Sequence, residues 1–154
     1  MNTPKGIKRV KALQPLSREH HHGLLLSWKI KTGLAKNVSP KRINAYANWF
    51  YNTHLCPHFK IEENHVFPIL GNSNELVKKA LDQHTELRAL FSKNEASKST
   101  LQHIEKALIK HIRFEERELF NDIQKVATQE QLDFIESVHQ THDFKDNISD
   151  EFWV

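Results

Sequence analysis

The chain has 154 residues, a single cysteine and a formal net charge of +3, with a sequence pI of about 9.0. That length indicates one domain, residues 1–154, whose core needs no disulfide staples. The lone Cys56 excludes an internal disulfide and suits a reducing, cytoplasmic setting. No apolar run approaches the ~20 residues of a membrane span, and Met1 to Gln14 lacks the apolar centre of a signal peptide. Lys and Arg are dispersed and not interleaved with aromatics, which argues against nucleic acid as a partner.

Residues 1–12 read as a basic arm around Pro4 and Gly6. The first helix is expected to start near Pro15, with Ser17 and Glu19 in its opening turn. It runs through Leu24, Leu25 and Trp28 to a stop at Gly33. Ser39-Pro40 starts the second, the hydroxyl as N-cap and Pro in the first turn. From there Ile43, Ala47, Phe50, His54, His58, Glu62, Val66 and Ile69 recur at helical steps, and Pro57 is expected to kink the helix without ending it. Gly71-Asn72-Ser73-Asn74 is a turn. The third helix spans 75–91 with Val77, Leu81, His84, Leu87 and Phe91 on one face, and a polar loop follows over 93–99. The fourth runs from about 100 to 126 through Leu101, Leu108, His111, Glu115, Leu119 and Ile123. Thr128-Gln129-Glu130-Gln131 is a capping box for a short fifth helix through Leu132, Ile135 and Val138. The apolar tail Phe152-Trp153-Val154 is expected either to pack back or to meet a protein partner. This pattern predicts an all-α fold: an up-down-up-down four-helix bundle over about 13–126, with a short C-terminal fifth helix.

Eleven histidines stand out in this composition, and two of them belong to a repeated stretch. His58-Phe59-Lys60-Ile61-Glu62-Glu63 reappears as His111-Ile112-Arg113-Phe114-Glu115-Glu116. Four residues slightly exceed one helical turn, so His58 shares a face with Glu62, and His111 with Glu115. The third helix carries His84 on its apolar stripe, and the first carries His20-His21-His22. Imidazoles and carboxylates on four apolar stripes suit iron, manganese or zinc. Six such ligands exceed a closed tetrahedral zinc and suit two ions. On the first helix His20 is preferred, since Leu13, Leu16 and Leu24 share its stripe; His21 remains the alternative. Glu63, Glu116 and His22 are expected to face solvent, and Trp28, Trp49, Phe50 and Phe91 to lie in the core. His54 and His65 would either support a ligand or lie on the surface. His139 and His142 could form an exposed zinc pair, but they lie beyond the main bundle. A ferritin-like carboxylate site is disfavoured, because Glu-x-x-His occurs at 19/22, 62/65 and 136/139 but nowhere on the fourth long helix.

The set His20, His58-x-x-x-Glu62, His84, His111-x-x-x-Glu115 resembles the hemerythrin family, in its bacterial HHE cation-binding branch. The resemblance covers about residues 13–126. It implies a non-haem di-iron centre, two iron ions bridged by carboxylates and an oxo or hydroxo group, that binds O2 or a related diatomic or peroxide. By that resemblance His20, His58, His84 and His111 are terminal ligands, and Glu62 and Glu115 are bridges. Oxygen-carrying hemerythrins have His-x-x-x-His on the third helix, where His84 is followed by Arg88. They end in His-x-x-x-x-Asp, where His111 is followed by Glu115 and Glu116. Fewer imidazoles imply an open position on one iron. A binding or sensing protein is the leading expectation, with an enzyme acting on peroxide or nitric oxide, or in iron-centre repair, as the alternative.

Overall fold

A computed structural model describes residues 8–93, 97–139 and 143–154. The first seven residues of the arm, residues 94–96 of the polar loop, and His142 of the 139/142 pair therefore lie outside the described residues. The architecture is all-α, with no strand among the described residues.

Helix α1 is Gln14–Ala35, preceded by a 3-10 turn at Lys11–Leu13. Its buried stripe, Leu16, His20, Gly23, Ser27, Ile30 and Leu34, alternates steps of four and three, which keeps one face inward. Leu24 and Trp28 follow His20 by fours only. Each such step leads the stripe by ~40°, so Trp28 is 53% exposed rather than in the core. The helix also runs past Gly33. A Cβ there would sit 2.7 Å from the Phe152 ring, so this glycine makes room for the tail. The turn falls instead at Asn37, whose φ of 60° is a left-handed conformation that asparagine tolerates. Beside it, the Val38 amide donates back to the Gly33 carbonyl at 2.9 Å.

Helix α2 covers residues 40–66 and contains two π-helical turns. Pro40–Phe50 and Cys56–Ile61 are α-helical, whereas Tyr51–Leu55 and Glu62–Val66 are π-helical turns. Ser39 sits at the N-cap without a side-chain cap bond, so Pro40 carries the start signal. The interruption expected at Pro57 takes the form of the first π turn, which ends just ahead of the residue lacking an amide proton. Helix α3 is Glu75–Phe91, with Asn74 accepting from the Leu76 and Val77 amides. Helix α4 spans residues 98–126, with Lys98–Phe114 and Phe120–Val126 α-helical around a π turn at Glu115–Leu119. Ser97 caps it by accepting from the Thr100 amide. Helix α5 is Gln129–Val138, opened by the expected Thr128/Gln131 capping box.

Two apolar clusters fill the interior. One gathers Leu26, Ile30, Phe50, Phe59, Leu87, Leu101 and Leu108. The other gathers Leu13, Leu16, Val66, Val77, Phe120 and Ile123. Along α1 and α3 the chain passes from the second cluster to the first, and along α2 and α4 from the first to the second. That alternation is compatible with up-down-up-down packing. Each helix carries its candidate ligands where it crosses from one cluster to the other. The C-terminal tail packs back: Phe152 is 3% exposed within the first cluster, while Val154 stays exposed.

Candidate metal centre

Six side chains meet in the layer between the two clusters: His20 from α1, His58 and Glu62 from α2, His84 from α3, and His111 and Glu115 from α4. None is more than 4% exposed. His20 and His58 bring their Nε2 atoms to 3.1 Å of each other. His20 Nε2 lies 2.9 Å from Glu115 Oε1, and His58 Nε2 lies 3.1 Å from Glu62 Oε2. On the other side His84 Nε2 is 3.1 Å from Glu62 Oε1, and His111 Nε2 is 3.0 Å from Glu115 Oε2. The cluster therefore divides into two groups of four, His20/His58/Glu62/Glu115 and His84/His111/Glu62/Glu115, each able to hold a cation, with both glutamates common to the two. His21 is exposed and outside the cluster, so of the two alternatives on α1 it is His20 that enters the layer.

These distances fit a metal better than they fit a hydrogen-bonded core. All four oxygens of Glu62 and Glu115, with Nε2 of His84 and of His111, are buried and lack a properly aligned hydrogen bond. Leaving a buried polar atom unsatisfied costs about 1–3 kcal/mol, more for a charged one. Two donor atoms ~2.1 Å from one first-row ion and at right angles lie ~3 Å apart, close to the spacings found here. The donor set of neutral imidazole nitrogen and carboxylate oxygen suits iron, zinc or manganese.

The carboxylates and imidazoles of the layer favour one another's charged forms. Burial resists ionisation of Glu62 and Glu115, and Glu115 further opposes charge on Glu62. The neighbouring imidazoles, His58 for Glu62 and His111 for Glu115, outweigh this and hold both carboxyls below their usual range. Burial likewise resists charge on His58, yet the Glu62 and Glu19 carboxylates raise it to about 9. His20 and His84 are raised well above an ordinary histidine against the same burial, chiefly by the adjacent Glu115 carboxylate.

Behind each imidazole stands a partner on another helix. His20 Nδ1 is 2.6 Å from Glu116, His84 Nδ1 2.6 Å from Glu63, His58 Nδ1 2.6 Å from Glu19, and His111 Nδ1 2.7 Å from Gln83. An ionised carboxylate only accepts, so the Nδ1–H donates to it, and when the ring is neutral its Nε2 lone pair faces the layer. Glu63 and Glu116, expected in solvent, are thus turned inward. Each lies next to a candidate ligand in a π turn that begins at Glu62 or Glu115. The extra residue per turn re-aims neighbouring side chains, as such turns commonly do at functional sites. Arg88, the residue four after His84, holds Glu63 with two bonds of 2.7 and 3.0 Å. Arg9 does the analogous service at Glu116, bonding the backbone carbonyl at 2.8 Å and the carboxylate at 3.4 Å. The sequence did hold a trace of these partners. The Glu-Glu pair is duplicated whole, and Glu19-His20 is matched by Gln83-His84.

His22 is half-buried and stacks on Phe144 at 3.9 Å, not on the open surface. His54 lines the same cavity as His20 and His58, together with Phe50, Leu55 and Phe144. His65 packs edge-on against Phe134, away from the layer. His139 Nε2 lies 3.0 Å from Glu19, so it faces the outside of the centre.

No helix among the described residues is long and apolar enough to cross a membrane. No curated protein and no solved structure gives a significant match. A family model, the hemerythrin HHE cation binding domain, matches residues 12–121, which contain all six clustered side chains and their four partners. The chain belongs to the hemerythrin HHE cation binding domain family, and its buried His/Glu layer fits a metal site.

Proposed function

We propose that this chain holds a non-haem di-iron centre and uses it to bind or sense O2 or a related small molecule. His20 and His58 would ligate one iron, His84 and His111 the other, and Glu62 and Glu115 would be shared by both. The observation that carries this reading is that two four-donor groups have both carboxylates in common, the arrangement two adjacent cations require of bridging ligands. When bound, such a centre supplies reversible one- and two-electron chemistry toward small oxidants.

The chain's own residues contribute orientation, dryness and access. Glu19, Glu63, Gln83 and Glu116 fix the imidazole tautomers by accepting from Nδ1. Phe59 stacks on His84 at 3.8 Å and Phe120 on His20 at 5.3 Å, so apolar rings wall the layer. A cavity of about 20 Å³ reaches His20 and His58 past Phe50, His54 and Phe144. A water needs ~10–15 Å³, so the cavity has room for a molecule of one or two heavy atoms. That small space beside His20 and His58 supports a small-molecule ligand.

The test is the ultraviolet-visible spectrum of iron-loaded protein, reduced anaerobically and then exposed to air, with iron counted on the same sample. Two irons per chain and charge-transfer bands that vanish when O2 is removed are expected. A protein that stays colourless and iron-free after iron supplementation would overturn the reading. The second reading, an enzyme acting on peroxide or nitric oxide or in iron-centre repair, draws on Arg88. This residue stands where oxygen carriers have a further histidine, and it is engaged with Glu63 instead. Irreversible oxidation with turnover of peroxide or nitric oxide faster than free iron would favour it.

A further inference from the structure

The four partners behind the imidazoles repeat with a two-fold pattern. The lone histidines, His20 and His84, are each held by the second glutamate of the opposite pair, Glu116 and Glu63. Each of those glutamates is backed by an arginine, Arg9 or Arg88, and each arginine lies over a wall phenylalanine, Phe120 or Phe59, at 5.5 and 5.4 Å. His58 and His111 are each held by the residue just before a lone histidine. Here the pattern breaks, because Glu19 holds His58 whereas Gln83 holds His111, at nearly equal distances of 2.6 and 2.7 Å. The geometry is conserved between the halves and the charge is not. Around His20 and His58 stand two carboxylates and one arginine. Around His84 and His111 stand one carboxylate, one arginine gripping it twice, and a neutral amide.

We infer that Glu19 and Gln83 make the two metal positions unequal, so that a divalent cation fills the His20/His58 position before the His84/His111 position. This rests on the two-ion reading above. A carboxylate accepting the Nδ1–H makes the imidazole a stronger donor at Nε2 and adds a negative charge behind it, whereas an amide oxygen only orients the ring. The same carboxylate also favours a proton on His58, and that proton competes with the metal. A doubly charged ion gains about twice as much from a given negative charge as a singly charged proton does, so the metal is the net beneficiary. The second oxygen of Glu19 lies 3.0 Å from His139 Nε2 on the outside, while the first faces His58. Glu19 and Gln83 are therefore positioning residues that touch no metal and rank the two sites.

The experiment is a zinc titration of the metal-free protein, with affinities from a competing chromophoric chelator and occupancy from imidazole NMR signals. Zinc is redox-inert, so the readout does not depend on iron chemistry. The first equivalent is expected to shift the His20 and His58 signals and leave those of His84 and His111 in place. Glu19→Gln is expected to weaken the first step by ~10–100-fold, the usual effect of losing such a partner, so that the two steps merge. Gln83→Glu, a change of similar volume at the matching position, is expected to strengthen the second step alone; a general loss of folding would not produce that gain. Even distribution of the first equivalent, or its preference for His84 and His111, overturns the proposal while leaving the two-ion reading intact. Equal weakening of both steps by Glu19→Gln does the same. Binding of fewer than two ions per chain contradicts the two-ion reading, and the ranking with it.

Discussion

The two apolar clusters and the polar layer between them are built on opposite principles. In the clusters, Phe59, Phe67, Phe120 and their aliphatic neighbours are almost fully buried and satisfied by contact alone. In the layer, four histidines and two glutamates are buried just as deeply, yet all four glutamate oxygens lack an aligned hydrogen bond. Apolar burial stabilises a chain whether or not a ligand is present. A buried, underbonded carboxylate does so only when a cation arrives. The clusters therefore suit the fold without a ligand, whereas the layer suits a bound cation.

The sharpest way to break that contrast is to remove a shared ligand. Glu115→Gln should weaken both ions by more than the ~10–100-fold that loss of an outer partner costs, because Glu115 belongs to both donor groups. Competition titration on the variant reads this directly. A loss confined to one ion would show that Glu115 is not shared.

The matching change in a cluster is Phe120→Ala. It should cost about 3–5 kcal/mol of stability, by a similar amount in metal-free and metal-loaded protein, since Phe120 is fully buried and is not a donor. Chemical denaturation with and without metal measures both values. A cost seen only in the loaded protein would place Phe120 in the centre's energetics instead.

Changes of pH should have a milder effect. Burial resists charge on Glu19 and on Glu63. Hydrogen bonds from His139 and His58 to Glu19, and from His84 and Arg88 to Glu63, outweigh it and lower each to about 2. Their contribution to metal-free stability is present above 4.5 and is lost as pH falls through about 2. His58, raised to about 9, contributes fully below 6.5 and loses that contribution as pH rises through about 9. Metal-free protein should thus melt highest between about pH 4.5 and 6.5 as far as these groups decide it. Metal needs His58 neutral and displaces its proton, so the stabilisation added by metal should grow with pH up to about 9. Melting curves across pH with and without metal check this, and a metal effect that shrinks with rising pH would contradict it.

The smallest effect is expected away from both regions. Arg42 and Asp150 pair at 2.7 Å on the exposed surface. Solvent and salt screen such pairs, so Arg42→Ala should leave both melting temperature and metal affinity within experimental error. A clear drop in either would show that the C-terminal tail matters more to the layer than its burial of Phe152 suggests.

Sequence periodicity made the all-α fold legible because helix boundaries here follow local chemistry. Asn74, the Thr128/Gln131 box and the spacing of buried residues on α3 and α4 all act within a few residues of themselves. The six clustered residues were legible for the same reason, since His58/Glu62 and His111/Glu115 are one helical turn apart. Less legible were features fixed by a distant segment. Gly33 looks like a helix stop, and only the return of Phe152 from the tail explains why it is not. Trp28 reads as core until the drift of four-residue steps is followed to the exposed side of α1. Glu63 and Glu116 read as solvated because an ideal α-helix would turn them away, and the π turns beginning at Glu62 and Glu115 alter that geometry. Their partners, His84 and His20, lie 21 and 96 residues away. No local pattern announces such contacts, although the paired repetition of Glu-Glu and of Glu/Gln-His did mark the positions.

In the proposed centre Glu62 and Glu115 would be shared by two iron ions. Crystals of iron-loaded protein, measured with anomalous diffraction at the iron edge, test it most directly. Two peaks ~3.5–4 Å apart, the usual spacing of two-metal centres, are expected, one beside His20 and His58 and the other beside His84 and His111. A single peak, or iron bound away from Glu62 and Glu115, would contradict it.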